Sequence, residues 1–532
     1  LVCDHQPVAR AALPPTKEQW AGIAVPALEL VPDWPGITVA TWGDLAHRRP
    51  EPGLNRLVLD LPRWQCRPRT LLHLHRMGWR HSPFGLRWQA YARAAEVLVP
   101  RWLRRRGWLG DGTVAASVAT AFSRPLASPL PTEPQRITHY LRSWQRGGAE
   151  RQAALLAGRQ RQAGQRVKAL VQMAALAEPA TCHDWFVEAD VPLQLAGGRW
   201  NPEAERHWHG LARLPWHHLP SELRDSVIDL VIELLLEPPD VLHCWVDEAN
   251  VAGLIAGRLA GVPRIVLTGL GLSPGRDSAA WKPWLAPWYR AGLRFPEVSL
   301  AVISHYGADD YAEWLAVSRN RLDVVHIGFV PPDPPPTVEG IAAFRAACGV
   351  PAKAPLVIGL FRLEPGKRPL EFLEVVHQVR QRMPETHVVL IGRGSLEREI
   401  RQAIDVRGSG AWVHVLDGVP EVYTALAASQ VLVLMSEAEG TPTVALEAQA
   451  VGCVPVLTDV GGCREVVRAE ESGILVPLGD VAAATDAVVK LLTDPARRRA
   501  LAAAGLEYVH AQFGLARYHR DVQKLYGRQR HH

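Results

Sequence analysis

Long apolar stretches are missing from this 532-residue sequence: no run of 18 or more uninterrupted apolar residues occurs, which argues against a membrane-spanning helix. Cysteine is scarce. Its seven positions (3, 66, 182, 244, 348, 453 and 463) are odd in number and never spaced Cys-x-x-Cys. That argues against a disulfide scaffold or a zinc site and fits reduced thiols in a cytoplasm. Residues 1–15 show no basic segment followed by an apolar stretch and a cleavage site, so no signal peptide is expected. Charge of one sign is lacking too, since 59 Lys+Arg against 54 Asp+Glu leave +5. So mild an excess suits anionic substrates or a membrane surface and proves neither. The short basic runs carry no recognition motif, so nucleic acid is not an expected partner.

What is present divides into regions, because so long a chain exceeds one compact core. Residues 1–130 are rich in Pro, Trp and Arg and contain one convincing strand, 56–61; they form an N-terminal extension with no assigned fold. A Pro- and Ser-containing linker follows at 123–134. From 131 to 330 short apolar strands (137–141, 167–171, 240–245, 264–268, 298–304) alternate with helical spacings at 149–163 and 251–260. Residues 330–336, V-P-P-D-P-P-P, hold five prolines in seven positions and can only be a stiff, extended connector. Alternation restarts over 337–510, with strands at 356–361, 387–391, 413–416, 431–435, 454–457 and 474–476 and helices at 369–382, 396–405 and 443–450. The pattern predicts an α/β protein with two Rossmann-like domains, parallel strands and crossover helices, facing across a cleft.

The most informative stretch is 436–452, S-E-A-E-G-T-P-T-V-A-L-E-A-Q-A-V-G. It follows a strand, turns at Gly440 and Thr441, and starts a helix whose first N–H groups have no partner within the chain. Such groups suit phosphate or sugar hydroxyls. Glu447 lies one to two turns on, and a carboxylate there can accept both hydrogen bonds of a vicinal diol. Taken alone, two glutamates on a strand–loop–helix are as well explained by a solvated helix face.

The surrounding elements decide between these readings. The segment resembles the E-x7-E signature of family-four retaining glycosyltransferases, whose architecture is GT-B, and the likeness runs over most of 355–478. Residues 359–367, G-L-F-R-L-E-P-G-K, are similar to the family's strand-end motif. Residues 390–396, L-I-G-R-G-S-L, are similar to its glycine turn. Residues 459–466, D-V-G-G-C-R-E-V, and 473–477 resemble the two elements that follow. The resemblance implies that Arg362 and Lys367 clamp the donor diphosphate and that Glu447 holds the ribose. Glu439 with Gly440, Thr441 and Thr443 would hold the transferred sugar and phosphate, and Arg393 and Gly394 would lie near the nucleobase.

The N-terminal α/β unit is similar to the family's acceptor domain, less closely. Gly147 and Gly148, in G-G-A-E, look like its glycine-rich donor loop. Leu270 stands where the family often has a sugar-contacting histidine, so His243 and Asp247 are the candidate substitutes. Residues 513–526, aromatic and basic, look like the family's terminal helix, and 511–532 are expected to cross back to the acceptor domain.

The family's front-face mechanism needs no double-displacement nucleophile. No Asp-x-Asp motif in the expected context argues for a metal, so no metal or other cofactor is expected. The expected partners are a nucleotide sugar, UDP-linked, and a polysaccharide or lipid-linked saccharide acceptor. Aromatic–cation mixtures at 281–295 and 101–108 suggest peripheral contact with an anionic inner membrane face, or a saccharide platform. Packing between domains accounts for them equally well. Two other readings stay open: a soluble transferase or epimerase acting on a small metabolite, and a non-catalytic subunit that keeps the fold.

Overall fold

The computed structural model describes residues 135–173, 181–197, 221–276 and 284–527, with Glu203, Arg206, His207, Leu211, Leu219 and Lys282. The expected strand at 56–61, the linker at 123–134, the mixture at 101–108 and Trp281 lie outside the described residues. By its contacts the chain forms two units, residues 1–124 with 201–232 and residues 125–200 with 233–532. Both sheets below belong to the second.

The first sheet has seven strands in the order β3-β2-β1-β4-β5-β6-β7. They are β1 (Arg136–Ser143), β2 (Arg166–Met173), β3 (Leu193–Leu195), β4 (Val241–Trp245), β5 (Arg264–Gly269), β6 (Val298–Val302) and β7 (Leu322–Val324). The second has six, ordered β10-β9-β8-β11-β12-β13. These are β8 (Leu356–Leu360), β9 (His387–Ile391), β10 (Val413–Leu416), β11 (Val431–Leu434), β12 (Val454–Thr458) and β13 (Ile474–Val476). Every pairing between named strands is parallel. Helices cover both faces of such sheets, which is why central strands read as unbroken apolar runs. All four residues of β11, V-L-V-L, are buried.

In each sheet the order reverses once, between β1 and β4 and between β8 and β11. At such a switch point the connections leave in opposite directions, and a crevice opens beyond the carboxyl ends of the strands. The Gly147–Gly148 turn follows β1, and the Arg362–Lys367 and Glu439–Thr443 loops follow β8 and β11, so the topology brings each to the mouth of a switch point.

The chain crosses between the sheets twice, at residues 330–336 and again near Gly514. After the second crossing the last helix, Leu515–Gly527, returns to the first sheet and packs on the helix Gly148–Gln162. Its Tyr518, Val522, Leu525 and Tyr526 are buried there. The crossings run side by side: the Phe329 N–H donates to the Phe513 carbonyl at 2.7 Å, and Phe329 and Gly514 form a parallel bridge.

The aromatic–cation segment turns out to be largely core. In the helix Leu285–Gly292, Leu285, Trp288, Tyr289 and Gly292 are buried, which is the i, i+3, i+4, i+7 stripe of an amphipathic helix. Arg290 and Arg294 stay exposed. No helix among the described residues is long and apolar enough to cross a membrane.

Candidate active site

A cavity of about 360 Å³ opens between the two sheets. From the first sheet's side it is lined by Arg146, Gly147, Gly148, Arg151, Gln152, Leu155, Trp185, Leu270 and Ile303, and by 327–330 of the connector's approach. From the second come Tyr423, Thr441, Thr443 and Glu447. Two of its polar atoms, Tyr423 Oη and Thr441 Oγ1, are buried without a hydrogen-bond partner. A buried polar atom left unpaired costs about 1–3 kcal/mol, so both are poised for a group that the cavity receives. Glu447 projects from the helix Thr443–Ala450. Burial raises its carboxyl pKa, and the Arg151 guanidinium opposes that rise.

Gly147 is the extended N-cap of the helix Gly148–Gln162 and receives no side-chain cap. Gly147 and Gly148 line the cavity, so the start of this 15-residue helix lies at its wall. A Cβ on Gly147 would lie 2.5 Å from Glu150 Oε2, whereas one on Gly148 would meet nothing within 4 Å. Arg146 is already engaged: it pairs with Asp184 and lies over the Trp185 ring at 5.2 Å.

The other expected residues of the second sheet, Arg362, Lys367, Arg393, Gly394, Glu439 and Gly440, are not in the cavity's lining; they lie at the carboxyl ends of β8, β9 and β11. Lys367 Nζ donates to Glu439 Oε1 at 2.6 Å, and Ser436 Oγ donates to the same oxygen at 2.6 Å. The Glu437 N–H reaches the Gly366 carbonyl at 2.8 Å, tying the two loops together. Arg362 is exposed. Arg393 is exposed too and pairs with Asp417 at 3.3 Å. Gly394 has a packing reason to be glycine, since a Cβ there would come within 2.4 Å of the Leu363 carbonyl oxygen. Gly461 and Gly462 are under the same constraint, at 2.0 and 1.9 Å from the Glu439 and Gly440 carbonyls. Gly440 itself would carry its Cβ 3.0 Å from Gly271 Cα, so the sugar-loop candidate touches the loop after β5.

His243 is placed differently from the expectation. The ring is buried, with Nδ1 2.8 Å from Tyr526 Oη and Nε2 2.7 Å from Thr268 Oγ1, so it presents no free nitrogen to the cavity. It belongs to a closed network. Trp245 Nε1 donates to His139 Nδ1 at 3.0 Å, His139 Nε2 meets Gln160 Oε1 at 2.8 Å, and Gln160 Nε2 donates to Tyr526 Oη at 3.0 Å. Burial holds both imidazoles neutral, lowering His139 to about 4 and His243 further below its ordinary value. The network fastens the last helix to the sheet. Asp247, the second substitute, opens the helix Asp247–Ala260 and accepts from Tyr289 Oη at 2.8 Å and Tyr311 Oη at 3.0 Å. Burial pushes its carboxyl up to about 6, against the two tyrosine hydrogen bonds that lower it.

His305, His326 and Glu465 bring one potential ligand atom each within 4.8 Å of one another. Their surroundings favour fastening over a cation. Glu465 accepts from the His305 and Tyr306 N–H groups at 2.7 and 3.0 Å, an acid at a helix N-terminus. Arg319 lies 3.5 Å from His305 Nδ1, and Arg517 donates to the His326 carbonyl.

Residues 341–508 match the family described as "Glycosyl transferases group 1". The chain is 30% identical over 265 residues to the Vi polysaccharide biosynthesis protein VipC/TviE of Salmonella typhi. That match takes in 49% of this chain and 46% of the relative, so the chain spans about half that protein's length. It is also 30% identical over 300 residues to the 2-deoxystreptamine N-acetyl-D-glucosaminyltransferase of Streptomyces fradiae, covering 52% of this chain and 68% of that protein. Among solved structures, Anabaena HepE in complex with UDP superposes with a TM-score of 0.58 at 18% identity, over 73% of this chain and 99% of that one. That likeness concerns the fold.

Proposed function

Since the chain belongs to the group 1, family-four-like glycosyltransferases, we propose that its cavity binds a nucleoside-diphosphate sugar and transfers the sugar with retention to a saccharide acceptor. The observation that carries this reading is the meeting of Glu447, Thr441 and Thr443 with the uncapped Gly147–Gly148 helix start across one cavity that holds two unpartnered polar atoms. A diol acceptor, hydroxyl partners and anion-binding N–H groups are what a ribose-diphosphate needs.

In this reading Glu447 holds the ribose, and Glu439 holds the transferred sugar with the backbone of 440–443. Arg362 and Lys367 neutralise the departing diphosphate. The acceptor hydroxyl attacks the anomeric carbon from the face the phosphate leaves, and its proton passes to the phosphate oxygen released from that carbon. Residues 393–394 border the nucleobase. UDP is the proposed nucleotide, supported by the complex in which the Anabaena relative was solved. The proposed acceptor, a growing polysaccharide or lipid-linked saccharide, is supported by the name of the Salmonella relative.

Two expected results follow from these assignments. Glu447→Ala should weaken UDP binding by about 1.5–3 kcal/mol, as for a hydrogen bond to a charged group. Calorimetry showing unchanged affinity in a folded variant removes the ribose assignment. Peripheral contact with anionic membrane rests on the exposed Arg290 and Arg294 rather than on the buried Trp288 and Tyr289. Replacing Lys282, Arg290 and Arg294 with Ser should lower sedimentation with phosphatidylserine vesicles, and equal sedimentation removes the membrane from the reading.

A further inference from the structure

We infer that Arg151 is a donor-positioning residue, a cation that the first sheet's side extends over the diphosphate of a nucleotide bound mainly by the second. The inference rests on the nucleotide-sugar reading of the cavity and adds a residue to it.

Arg151 occupies the first turn of the helix Gly148–Gln162. A cation there opposes the helix dipole and is unfavourable unless an anion joins it. Yet Arg151 makes no ion pair among the described residues, while its neighbour Arg146 is held by Asp184 and Trp185. Arg151 lines the cavity, and the carboxylate it influences lies on the opposite side: Glu447, whose ionised form it favours. Tyr423 lines the same wall, and the Arg151 guanidinium acts on its buried hydroxyl as well, opposing the rise that burial gives its pKa. An exposed guanidinium, a helix start whose N-cap residue supplies no side-chain cap, and a buried hydroxyl thus converge on one space with a single lining carboxylate.

That set is complementary to a ligand bearing a diol at one end and negative charge at the other. With the diol on Glu447, the guanidinium, which holds no ion pair of its own, is left to meet the phosphates. A planar guanidinium suits phosphate oxygens through paired hydrogen bonds. Because this contact comes from the opposite side of the cavity, it links donor binding to the approach of the two walls.

The test is titration of the full chain with UDP, GDP and ADP, and with the matching monophosphates, by calorimetry. Arg151→Ala should weaken the best-bound diphosphate about 10–100-fold, as for loss of a charge-assisted pair, and should narrow the gap between diphosphate and monophosphate. Arg151→Lys should restore part of the affinity, and raising salt should weaken the unaltered chain more than Arg151→Ala. Glu447→Ala, in contrast, should weaken diphosphate and monophosphate alike. Unchanged diphosphate affinity in a folded Arg151→Ala overturns the inference while leaving the nucleotide reading standing. Equal weakening of mono- and diphosphate, without rescue by Lys, also overturns it and makes Arg151 a structural residue. Binding of none of the three diphosphates by the unaltered chain overturns both.

Discussion

Alanine at Arg362 or Lys367 is expected to lower turnover about 10²–10³-fold, the loss typical of removing one preorganised donor from a developing oxyanion. Donor affinity should change much less. In the proposed reading the bound diphosphate is already anionic, and either cation would compensate in part for the other. During transfer the oxygen leaving the anomeric carbon gains further charge, and interactions strengthened at that moment accelerate the step. Lys367 is preorganised by its 2.6 Å contact with Glu439, which in turn is held by Ser436. Its substitution also leaves a half-buried carboxylate without its cation, so Lys367→Arg is the control that retains charge. The double variant should lose less than the sum of the single losses, because both groups act on one diphosphate. Single-turnover rates with saturating donor, beside calorimetric affinities, separate the two effects. Turnover unchanged by both substitutions, with native circular dichroism, would reduce the pair to surface charge.

The second large effect is on stability in acid. Buried His139, lowered to about 4 in the folded chain, has an ordinary value near 6.5 once unfolded. Between those values the unfolded chain binds the extra proton, so stability rises with pH across the window. The contribution is complete above pH 6.5 and is lost as pH falls through 4. At about 1.4 kcal/mol per unit the loss approaches 3 kcal/mol, and His243, lowered further by burial and by His139, adds in the same direction. Amide exchange in β1 and β4, measured from pH 7 to 4.5, should show protection falling steeply. His139→Gln, which keeps a polar group but cannot titrate, should flatten that dependence. A slope unaltered by the substitution would place the acid sensitivity elsewhere.

The strands were legible because buried parallel strands are apolar on both faces, and the expected ranges fall on β1, β2, β4–β6 and β8–β13. The ones not anticipated, β3 and β7, have three residues each, lie at sheet edges and are partly exposed, so they carry no apolar run. The same two-faced burial misleads about single side chains: in V-L-H-C-W every residue is buried, and nothing in the run says whether His243 faces a cavity or a helix. Around the stripe 285, 288, 289 and 292, the aromatic–cation mixture left surface contact and packing equally open; the i, i+3, i+4, i+7 spacing is the feature that agrees with the burial of these four residues.

At the site, the second sheet's residues were legible because they are contiguous in sequence with strand ends. Of the first sheet's contribution Gly147 and Gly148 were legible, as a glycine pair directly after a strand, whereas Arg151, Leu155 and Trp185 were not, since nothing in the sequence marks them as reaching the cavity. Tyr423 comes from a six-residue helix with no motif. One signal for Arg151 was present: a cation at the start of a helix, where it opposes the dipole.

The paired crossings at Phe329 and Gly514 constrain how the protein can move. Two independent linkers would let the halves slide, twist and separate. Here the strands are bonded to each other, and Gln152 clamps Gly328 through both its amide atoms, at 2.9 and 3.0 Å. Sliding one crossing past the other breaks the bond between them, so rotation about the line through both is the motion that costs least. The cavity lies beside that axis, with residues 327–330 in its wall. A rotation about that line moves the parts of the cavity wall near 327–330 least and those farthest from them most. A ligand held between the two walls would thus be gripped most firmly close to the crossings.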